Sequence, residues 1–309
     1  MDRDSIYYKQ VLLLIRMLPI IAIESVFALK GGTAINLFIR HFPRLSVDID
    51  LAYLPIEPRE QALTNVRASL LRIVKQINLL PNIKAVLQDS KDDELRIIVS
   101  DPIVTIKIEV SPVARGTLHD ASILSIQDAV EDEFGYAEIA VVSIPDLYGG
   151  KICAALDRQH PRDLFDIKML LDEEGISREI FIGFLTYLLG HPRPINEIMA
   201  PNWQPLDEKF KTEFNGMTLE QVELNDLIIT QRAMISALKI QFTEKDKYFL
   251  LSFKNGEPDW SLYPYPKAAE LPAVKWKLLN INKLRTKNPK KHAEQWGKLE
   301  KVLDGWLQR

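Results

Sequence analysis

The sequence predicts an α+β fold in which an N-terminal domain with a small mixed or antiparallel sheet, residues 1–143, precedes a mainly helical C-terminal domain, residues 144–309. Short segments with the two-residue alternation of strands recur between helical segments as far as Val110. From Pro145 onward, apolar residues recur three to four positions apart, as they do in amphipathic helices. A chain of 309 residues is also long enough to form two hydrophobic cores.

Helices and strands alternate in the N-terminal part of the chain. The apolar pattern of residues 4–22 predicts a helix that is broken near Pro19, because proline lacks a backbone N–H donor. A short strand at 26–29, a turn at Gly31-Gly32 and a helix at 33–40 come next. The remaining elements predicted for this domain are strands at 44–51, 83–87, 95–99 and 104–110, with a long helix at 58–80.

The C-terminal part of the chain has helical periodicity almost throughout. Gly175 is a typical C-cap residue after the second of its predicted helices. Proline-rich segments at 191–194 and 201–205 are expected to be stiff connectors. The predicted helices are 146–156, 163–172, 177–189, 219–240, 276–284 and 292–307.

Two aspartates lie two positions apart in the strand predicted at 44–51. Val47 and Ile49 alternate there with Asp48 and Asp50, so both carboxylates point to the same face. Paired carboxylates of this kind bind Mg²⁺ together with substrate phosphates, which is the arrangement that metal-dependent nucleotidyl transfer requires. The tripeptide by itself is more often a solvated strand edge.

A glycine turn precedes these aspartates and strengthens the case for a phosphate site. In Lys30-Gly-Gly-Thr-Ala-Ile-Asn36 the turn leads into a helix, whose first N–H groups can receive triphosphate oxygens. Gly31 and Gly32 permit close approach of the phosphates, and Thr33 offers a hydroxyl group. The alternative interpretation is an ordinary turn from strand to helix.

Glu109 is a candidate third acid on the strand predicted at 104–110. Its side chain lies on the same face as Thr105 and Lys107. A third carboxylate would complete the ligands for two metal ions, which together activate an attacking hydroxyl and stabilise the leaving pyrophosphate. Without the aspartate pair, an exposed cross-strand ion pair would be the better interpretation.

A second group of charged residues lies between positions 151 and 166. Lys151 is expected on a helix, where it could contact a phosphate as a point charge. Asp163 and Asp166 are three positions apart and share a helix face. Structural roles are equally consistent with the sequence, because Asp163 is a first-turn acid that can pair with Arg158 or Arg162.

Charge is distributed unevenly along the chain. The net charge is −3, but residues 267–309 contain 11 basic and 4 acidic residues, which leaves −10 for the first 266 residues. A basic tail fits a polyanion such as nucleic acid, although it also fits a solvated helical face. Trp276, Trp296 and Trp306 lie among its lysines, where tryptophans serve as stacking platforms or, more often, as packing anchors.

Several functional classes lack support in the sequence. It has no Gly-x-Ser-x-Gly, His-Glu-x-x-His or Walker A motif. A single cysteine, Cys153, excludes an intramolecular disulfide and is expected to be a core thiol. No membrane segment or signal sequence is evident, so a reducing cytoplasm is the expected compartment.

The motifs together resemble the nucleotidyltransferase toxins of the AbiEii/AbiGii type, within the polymerase-beta-like nucleotidyltransferase superfamily. The specific motifs cover about the first 175 residues, and the segments 249–254, 257–260 and 271–276 are also similar to the C-terminal region of some members. The resemblance rests on Leu29-Lys-Gly-Gly-Thr-Ala34 with Asn36, Arg44-x-Ser-x-Asp-x-Asp-Leu51, Lys151, and Arg162-Asp-Leu-Phe-Asp166.

The resemblance implies the toxin of an AbiE-type (type IV) toxin–antitoxin or phage abortive-infection system, with a cognate antitoxin encoded nearby. It further implies a nucleoside triphosphate substrate, Mg²⁺ in a two-ion site, and RNA such as the tRNA 3′ end as acceptor. A nucleotide- or protein-binding module and a protein-modifying enzyme are the alternatives. In this family the helical domain would complete the active-site cleft.

The resemblance also assigns roles by position. Asp48, Asp50, Lys151 and Asp163 would be catalytic, and Asp48, Asp50 and Glu109 would bind metal. Phe165 replaces the usual tyrosine of the late acidic motif, which removes a hydroxyl and is not expected to inactivate the protein. The residues assigned to nucleotide binding are Gly31, Gly32, Thr33, Ser46, Lys151 and Asp166.

Overall fold

The computed structural model of the chain describes residues 3–91, 94–111 and 114–308. The chain divides into two compact units. The first unit comprises Met1–Ser143 and Lys211–Val222, and the second comprises Ile144–Phe210 and Glu223–Arg309. The mixed sheet of the first and the helices of the second confirm the predicted α+β fold.

A seven-stranded mixed sheet forms the centre of the first unit. Its strand order is β3-β4-β5-β2-β1-β7-β6, in which the β2–β5 and β1–β7 pairs are parallel and the other pairs antiparallel. The strands are β1 (Phe27–Lys30), β2 (Asp48–Tyr53), β3 (Lys84–Lys91), β4 (Glu94–Ser100), β5 (Thr105–Val110), β6 (Ser122–Ser125) and β7 (Glu138–Val141).

Two long helices, α1 (Ile6–Ala22) and α3 (Arg59–Ile77), pack against this sheet and against each other. The prediction that the first helix breaks near Pro19 is wrong, because α1 continues through Pro19 to Ala22. Pro19 lies on the exposed side of the last turn, so the helix continues there with one backbone hydrogen bond fewer.

Shorter helical segments complete the first unit. α2 (Gly31–Ala34) continues into a π-helical stretch, Ile35–Ile39, and α4 (Asp128–Phe134) lies between β6 and β7. The segment after Phe210 joins this unit through backbone hydrogen bonds, since Leu45 N–H donates to the Met217 carbonyl and Leu219 N–H donates to the Pro43 carbonyl. These bonds fix the chain just before β2.

The second unit is helical. Its two most extensively packed helices, α5 and α7, cross at glycines: a Cβ atom on Gly149 would lie 2.4 Å from the Gly183 carbonyl carbon. The helices are α5 (Ile144–Asp157), α6 (Pro161–Glu173), α7 (Arg178–Gly190), α8 (Ile195–Met199), α10 (Leu224–Gln241), α11 (Glu244–Asn255), α12 (Pro272–Lys287) and α13 (Pro289–Leu307), and α9 (Asp207–Glu213) spans the boundary between the units.

Two single-turn 3₁₀ helices, Trp260–Leu262 and Pro266–Glu270, join α11 to α12. Cys153 is buried in α5, as expected of a core thiol. None of the helices in the described part of the chain has the length and apolar character that crossing a membrane requires.

Candidate active site

Three charged side chains of the first unit lie side by side across the centre of the sheet. Asp50 on β2 is in register with Glu109 on the parallel strand β5 and with Lys30 on the antiparallel strand β1. Residues in register project to the same face, and neighbouring strands are about 4.8 Å apart. The three side chains line a cavity of about 280 Å³, together with Arg96 and Ser111.

The carboxylates in this cavity repel one another. Burial raises the pKa of Glu109 above its usual value, and the negative charges of Asp50 and Asp48 raise that pKa further. Lys107 and Arg96 act in the opposite direction, with the Arg96 guanidinium 3.9 Å from the Glu109 carboxylate. A bound cation would relieve this repulsion, so a cluster of hard oxygen donors here suits Mg²⁺.

The three acids do not converge on one point. Among the described residues, no group of three His, Cys, Asp or Glu side chains is close enough to hold a metal ion. Asp48 is in register with Lys107, and this pair lies two residues along the strands from the pair of Asp50 and Glu109. The metal-ligand set of Asp48, Asp50 and Glu109 therefore stays a prediction.

The glycine turn packs directly against the Asp50 carboxylate. Gly31 has a φ of +74°, and a Cβ atom at this position would lie 2.5 Å from the Asp50 Oδ2 atom. A Cβ atom on Gly32 would lie 2.7 Å from Nη2 of Arg44 and 3.0 Å from the Ser46 hydroxyl. A side chain at either glycine would therefore displace neighbouring residues of the candidate site.

The hydroxyl groups near the turn are directed into the protein. Thr33 is buried, and its Oγ1 atom donates to the Asp48 carbonyl oxygen at 2.5 Å and lies 3.0 Å from the Ser46 hydroxyl. Asn36 donates to the Gly32 carbonyl oxygen at 2.9 Å. These bonds connect the turn to β2 and fix the position of Asp48, whereas phosphate binding by Thr33 and Ser46 stays a prediction.

The second unit contains a cluster of two cations and two carboxylates, all buried except Arg158. Nζ of Lys151 on α5 lies 2.9 Å from a carboxylate oxygen of Asp163 and 2.9 Å from one of Asp166, both on α6. Arg158 makes a forked contact with Asp163, with distances of 2.5 and 2.8 Å. The formal charges of the four groups sum to zero, which makes their burial tolerable.

Burial differs sharply between the members of this cluster. The side chains of Lys151, Asp163 and Asp166 are 5%, 1% and 0% exposed, while that of Arg158 is 62% exposed. Burial would raise the pKa of Asp163, but the charges of Lys151 and Arg158 outweigh burial and hold that pKa well below its usual range. The lowered pKa favours the ionised form of Asp163, and its partner Arg158 is exposed at the surface of the unit.

The start of α6 explains how Asp163 reaches Lys151. His160 caps the helix by accepting a hydrogen bond on Nδ1 from the Arg162 N–H at 3.1 Å, and Pro161 occupies the first helical position. This cap places Asp163 in the first turn, where the helix dipole favours a negative charge. The ion pair between Asp163 and Arg158 is one that the structural interpretation of the sequence allowed for.

The sequence analysis missed several charged residues near the aspartates. Lys30 and Arg96 line the cavity beside Asp50 and Glu109, and Arg44 is buried against Gly32. For Lys30 and Arg96 the missing information is strand register, which no local pattern specifies. Arg44 had a local signal, since it stands four residues before Asp48 in the motif itself.

Comparison with known protein families identifies the family of the chain. The family model described as "Nucleotidyl transferase AbiEii toxin, Type IV TA system" matches residues 12–278, which is most of the chain. The chain belongs to the AbiEii family. An AbiEii-family protein is a nucleotidyltransferase toxin of a type IV toxin–antitoxin system, so the family and enzyme class inferred from the motifs are confirmed.

A solved structure has the same fold. MenT4, a nucleotidyltransferase toxin from Mycobacterium tuberculosis H37Rv, is similar to this AbiEii-family chain with a TM-score of 0.61 and 13% sequence identity. The similarity covers 89% of this chain and 93% of MenT4, and hence extends through the helical part. No curated protein matches the sequence.

Proposed function

We propose that this AbiEii-family toxin transfers a nucleotidyl group from a nucleoside triphosphate to RNA, with the tRNA 3′ end as acceptor, in a Mg²⁺-dependent reaction. The observation that supports this most strongly is the contact between Gly31 and the Asp50 carboxylate. It joins a turn suited to phosphates to an acid suited to metal, and Glu109 stands in register beside that acid.

The proposed reaction is an in-line displacement. An acceptor hydroxyl oxygen bonds to the α-phosphorus, the bond from that phosphorus to the bridging oxygen breaks, and pyrophosphate and a proton leave. Asp48, Asp50 and Glu109 would hold Mg²⁺, which when bound neutralises phosphate charge. Backbone N–H groups after Gly31 would take phosphate oxygens, and Lys30 and Arg96 would add positive charge at the cavity.

For the second unit, we propose that Lys151, Asp163 and Asp166 take part in nucleotide binding, as the resemblance implies. The structure adds a condition to this role. Lys151 is held between two carboxylates and its side chain is only 5% exposed, so a phosphate can contact it only if the groups around it rearrange. Arg158 is exposed and already paired with Asp163, so it is the cation of this cluster that meets a ligand first.

The proposal extends to the partners and the compartment. A cognate antitoxin encoded beside the toxin would limit its activity, and the reaction would take place in the cytoplasm. Transfer of the nucleotidyl group to a protein, instead of to RNA, is the second candidate reaction. A binding module without activity is disfavoured, because both aspartates of the motif are retained.

A labelling experiment tests the proposal. The purified toxin is incubated with each α-³²P-labelled triphosphate, MgCl₂ and total RNA, and the product is treated separately with ribonuclease and protease. We expect ribonuclease-sensitive label that is abolished by EDTA and by Asp48→Asn or Asp50→Asn. Asp132→Asn, an exposed acid of the same unit, is the matched control and should retain full activity.

Label that resists ribonuclease but is removed by protease would show that the acceptor is a protein and not RNA. No label with any triphosphate, together with undiminished growth inhibition by Asp48→Asn, would overturn the catalytic proposal altogether.

A further inference from the structure

One tryptophan of the basic tail is largely exposed. Trp306 is 4% exposed and donates from its indole to the Met199 carbonyl at 3.1 Å, and Trp296 is half-buried and donates to the Leu251 carbonyl at 3.3 Å. Trp276 on α12, in contrast, is 61% exposed. The interpretation of the tail tryptophans as packing anchors thus holds for two of them and fails for Trp276.

Trp276 belongs to an exposed stripe along α12. With 3.6 residues per turn, Trp276, Leu279, Lys283 and Lys287 project to one side of the helix, and all four are exposed. Val274 and Ile281 project to the opposite side, where they are buried as α12 packs on its neighbouring helices. We call these four exposed residues the α12 face.

Positive charge continues from the α12 face into the start of α13. Lys290 and Lys291 follow Lys287 directly after the turn between the helices, and both are exposed. Within the described part of the chain, no carboxylate lies within ion-pair distance of Lys283, Lys287 or these two lysines. Arg285, on another side of α12, is by contrast paired with Glu257 at 2.7 Å.

Uncompensated lysines beside an exposed aromatic ring are the arrangement used to bind single-stranded nucleic acid. The lysines attract the phosphate backbone, and the ring provides a flat surface on which a base can stack. An interfacial membrane helix would instead need a broad apolar face, whereas Asn280 and Thr286 accompany Trp276 and Leu279 here. The chemistry of the stripe favours a polyanion that carries stacking groups.

We propose that the α12 face and the two lysines after it bind single-stranded RNA, with Trp276 stacking on a base and the lysines contacting phosphates. The choice of RNA rests on the proposed function. The binding itself rests on the exposure and charge of this surface and needs no catalysis.

Fluorescence anisotropy of a labelled 20-nucleotide oligouridylate tests the proposal on the full chain. Trp276→Ala should weaken binding about 5- to 150-fold, since stacking on one base is worth about 1–3 kcal/mol. Tyr248→Ala removes a comparably exposed ring on α11 and should leave the affinity unchanged. Equal losses in the two variants would overturn the stacking role.

The salt dependence of binding tests the phosphate contacts. Lys283→Gln with Lys287→Gln should lower the slope of log K against log salt by about 1.4, because each contact to a single strand contributes about 0.7. Lys298→Gln with Lys301→Gln removes two exposed lysines from α13 as a matched control and should leave the slope unchanged. A similar fall in both double variants would mean diffuse attraction and would contradict the proposal.

Two further measurements separate this inference from its alternatives. Binding of phosphatidylglycerol vesicles with a blue shift of Trp276 fluorescence, and none of oligouridylate, would make the surface a membrane contact and overturn the proposal. If RNA binds but no label is transferred, the proposed function fails and this inference stands. If label is transferred but Trp276→Ala does not change the affinity, this inference fails and the proposed function stands.

Discussion

At the scale of single residues, Gly31 shows how a backbone angle makes room for an acid of the candidate site. Its φ of +74° is available to glycine at little cost, and the missing side chain leaves space for the Asp50 carboxylate. Two separate constraints, one conformational and one steric, therefore act on the same residue. Substitutions can distinguish between them.

Gly31→Ala should abolish nucleotidyl transfer, because its methyl group would collide with the Asp50 carboxylate and displace it. Gly135→Ala is the matched control, since Gly135 also has a positive φ, +92°, but has no atom within 4 Å of its Cβ position. We expect Gly135→Ala to cost about 1–3 kcal/mol of stability, because its backbone angles are nearly restricted to glycine, and to keep its activity. Thermal unfolding and labelling assays on both variants measure the two effects, and similar activities would contradict the steric explanation.

The buried carboxylate of Asp163 should make the protein sensitive to acid. Its pKa in the folded state is lowered, so its contribution to stability is complete above the ordinary aspartate pKa of about 4 and is lost as the pH falls through the acidic range. We expect Asp163→Asn to lower the free energy of unfolding by about 3–5 kcal/mol at pH 7 and to weaken its dependence on acidic pH.

Urea unfolding of the parent and of Asp163→Asn at a series of pH values measures this contribution. Asp172→Asn breaks an exposed ion pair with Lys168 and should cost less than about 1 kcal/mol. Equal pH profiles for the parent and Asp163→Asn would contradict the lowered pKa of Asp163.

At the scale of elements, long periodic segments were predicted well, whereas most short ones were not, β1 beside the glycine turn being an exception. The helices around Lys151 and Asp163 have apolar positions at helical spacing, which specifies their buried faces. β6, α4 and β7 were missed because four-residue strands and a seven-residue helix are too short to establish a period. α11 was missed although its capping box, Thr243 with Asp246, is a recognisable start signal.

Proline gives a testable contrast between helix positions. Pro19→Ala in α1 would restore a backbone hydrogen bond in the last turn, so we expect the free energy of unfolding to rise by about 1–3 kcal/mol. Pro289→Ala at the first position of α13 restores no such bond and should change stability by less than about 0.5 kcal/mol. Thermal denaturation compares them, and an increase for Pro289→Ala of equal size would contradict this account.

At the scale of the whole molecule, the site depends on strand order and register. The spacing of Asp48 and Asp50 was enough to predict their common face, and Glu109 was identified by its own alternation. The sequence did not reveal that Lys30 and Glu109 flank Asp50, because strand pairing depends on packing between distant segments. Local periodicity therefore identified the acids but not the cations around them.

Metal binding should be measurable without any reaction. A cation that binds the folded state alone raises the free energy of unfolding by about 1.4 kcal/mol at ten times its dissociation constant. We expect MgCl₂ to raise the Tm of the parent and EDTA to reverse the increase, whereas Asp50→Asn should show little response. Asp132→Asn is again the control, and the same increase in Tm for Asp50→Asn would exclude Asp50 as a ligand.

The parallel pairing of β2 with β5 has a consequence for the synthesis of a toxic enzyme. Asp50 and Glu109 meet across the sheet although 58 residues separate them along the chain. Contacts between such distant positions close late in folding, because the entropy of the intervening loop opposes them. A growing chain thus cannot pair these acids before β5 has left the ribosome, and fragments that end before residue 105 lack the strand that carries Glu109. The topology therefore keeps Glu109 apart from Asp50 until most of the first unit has been made.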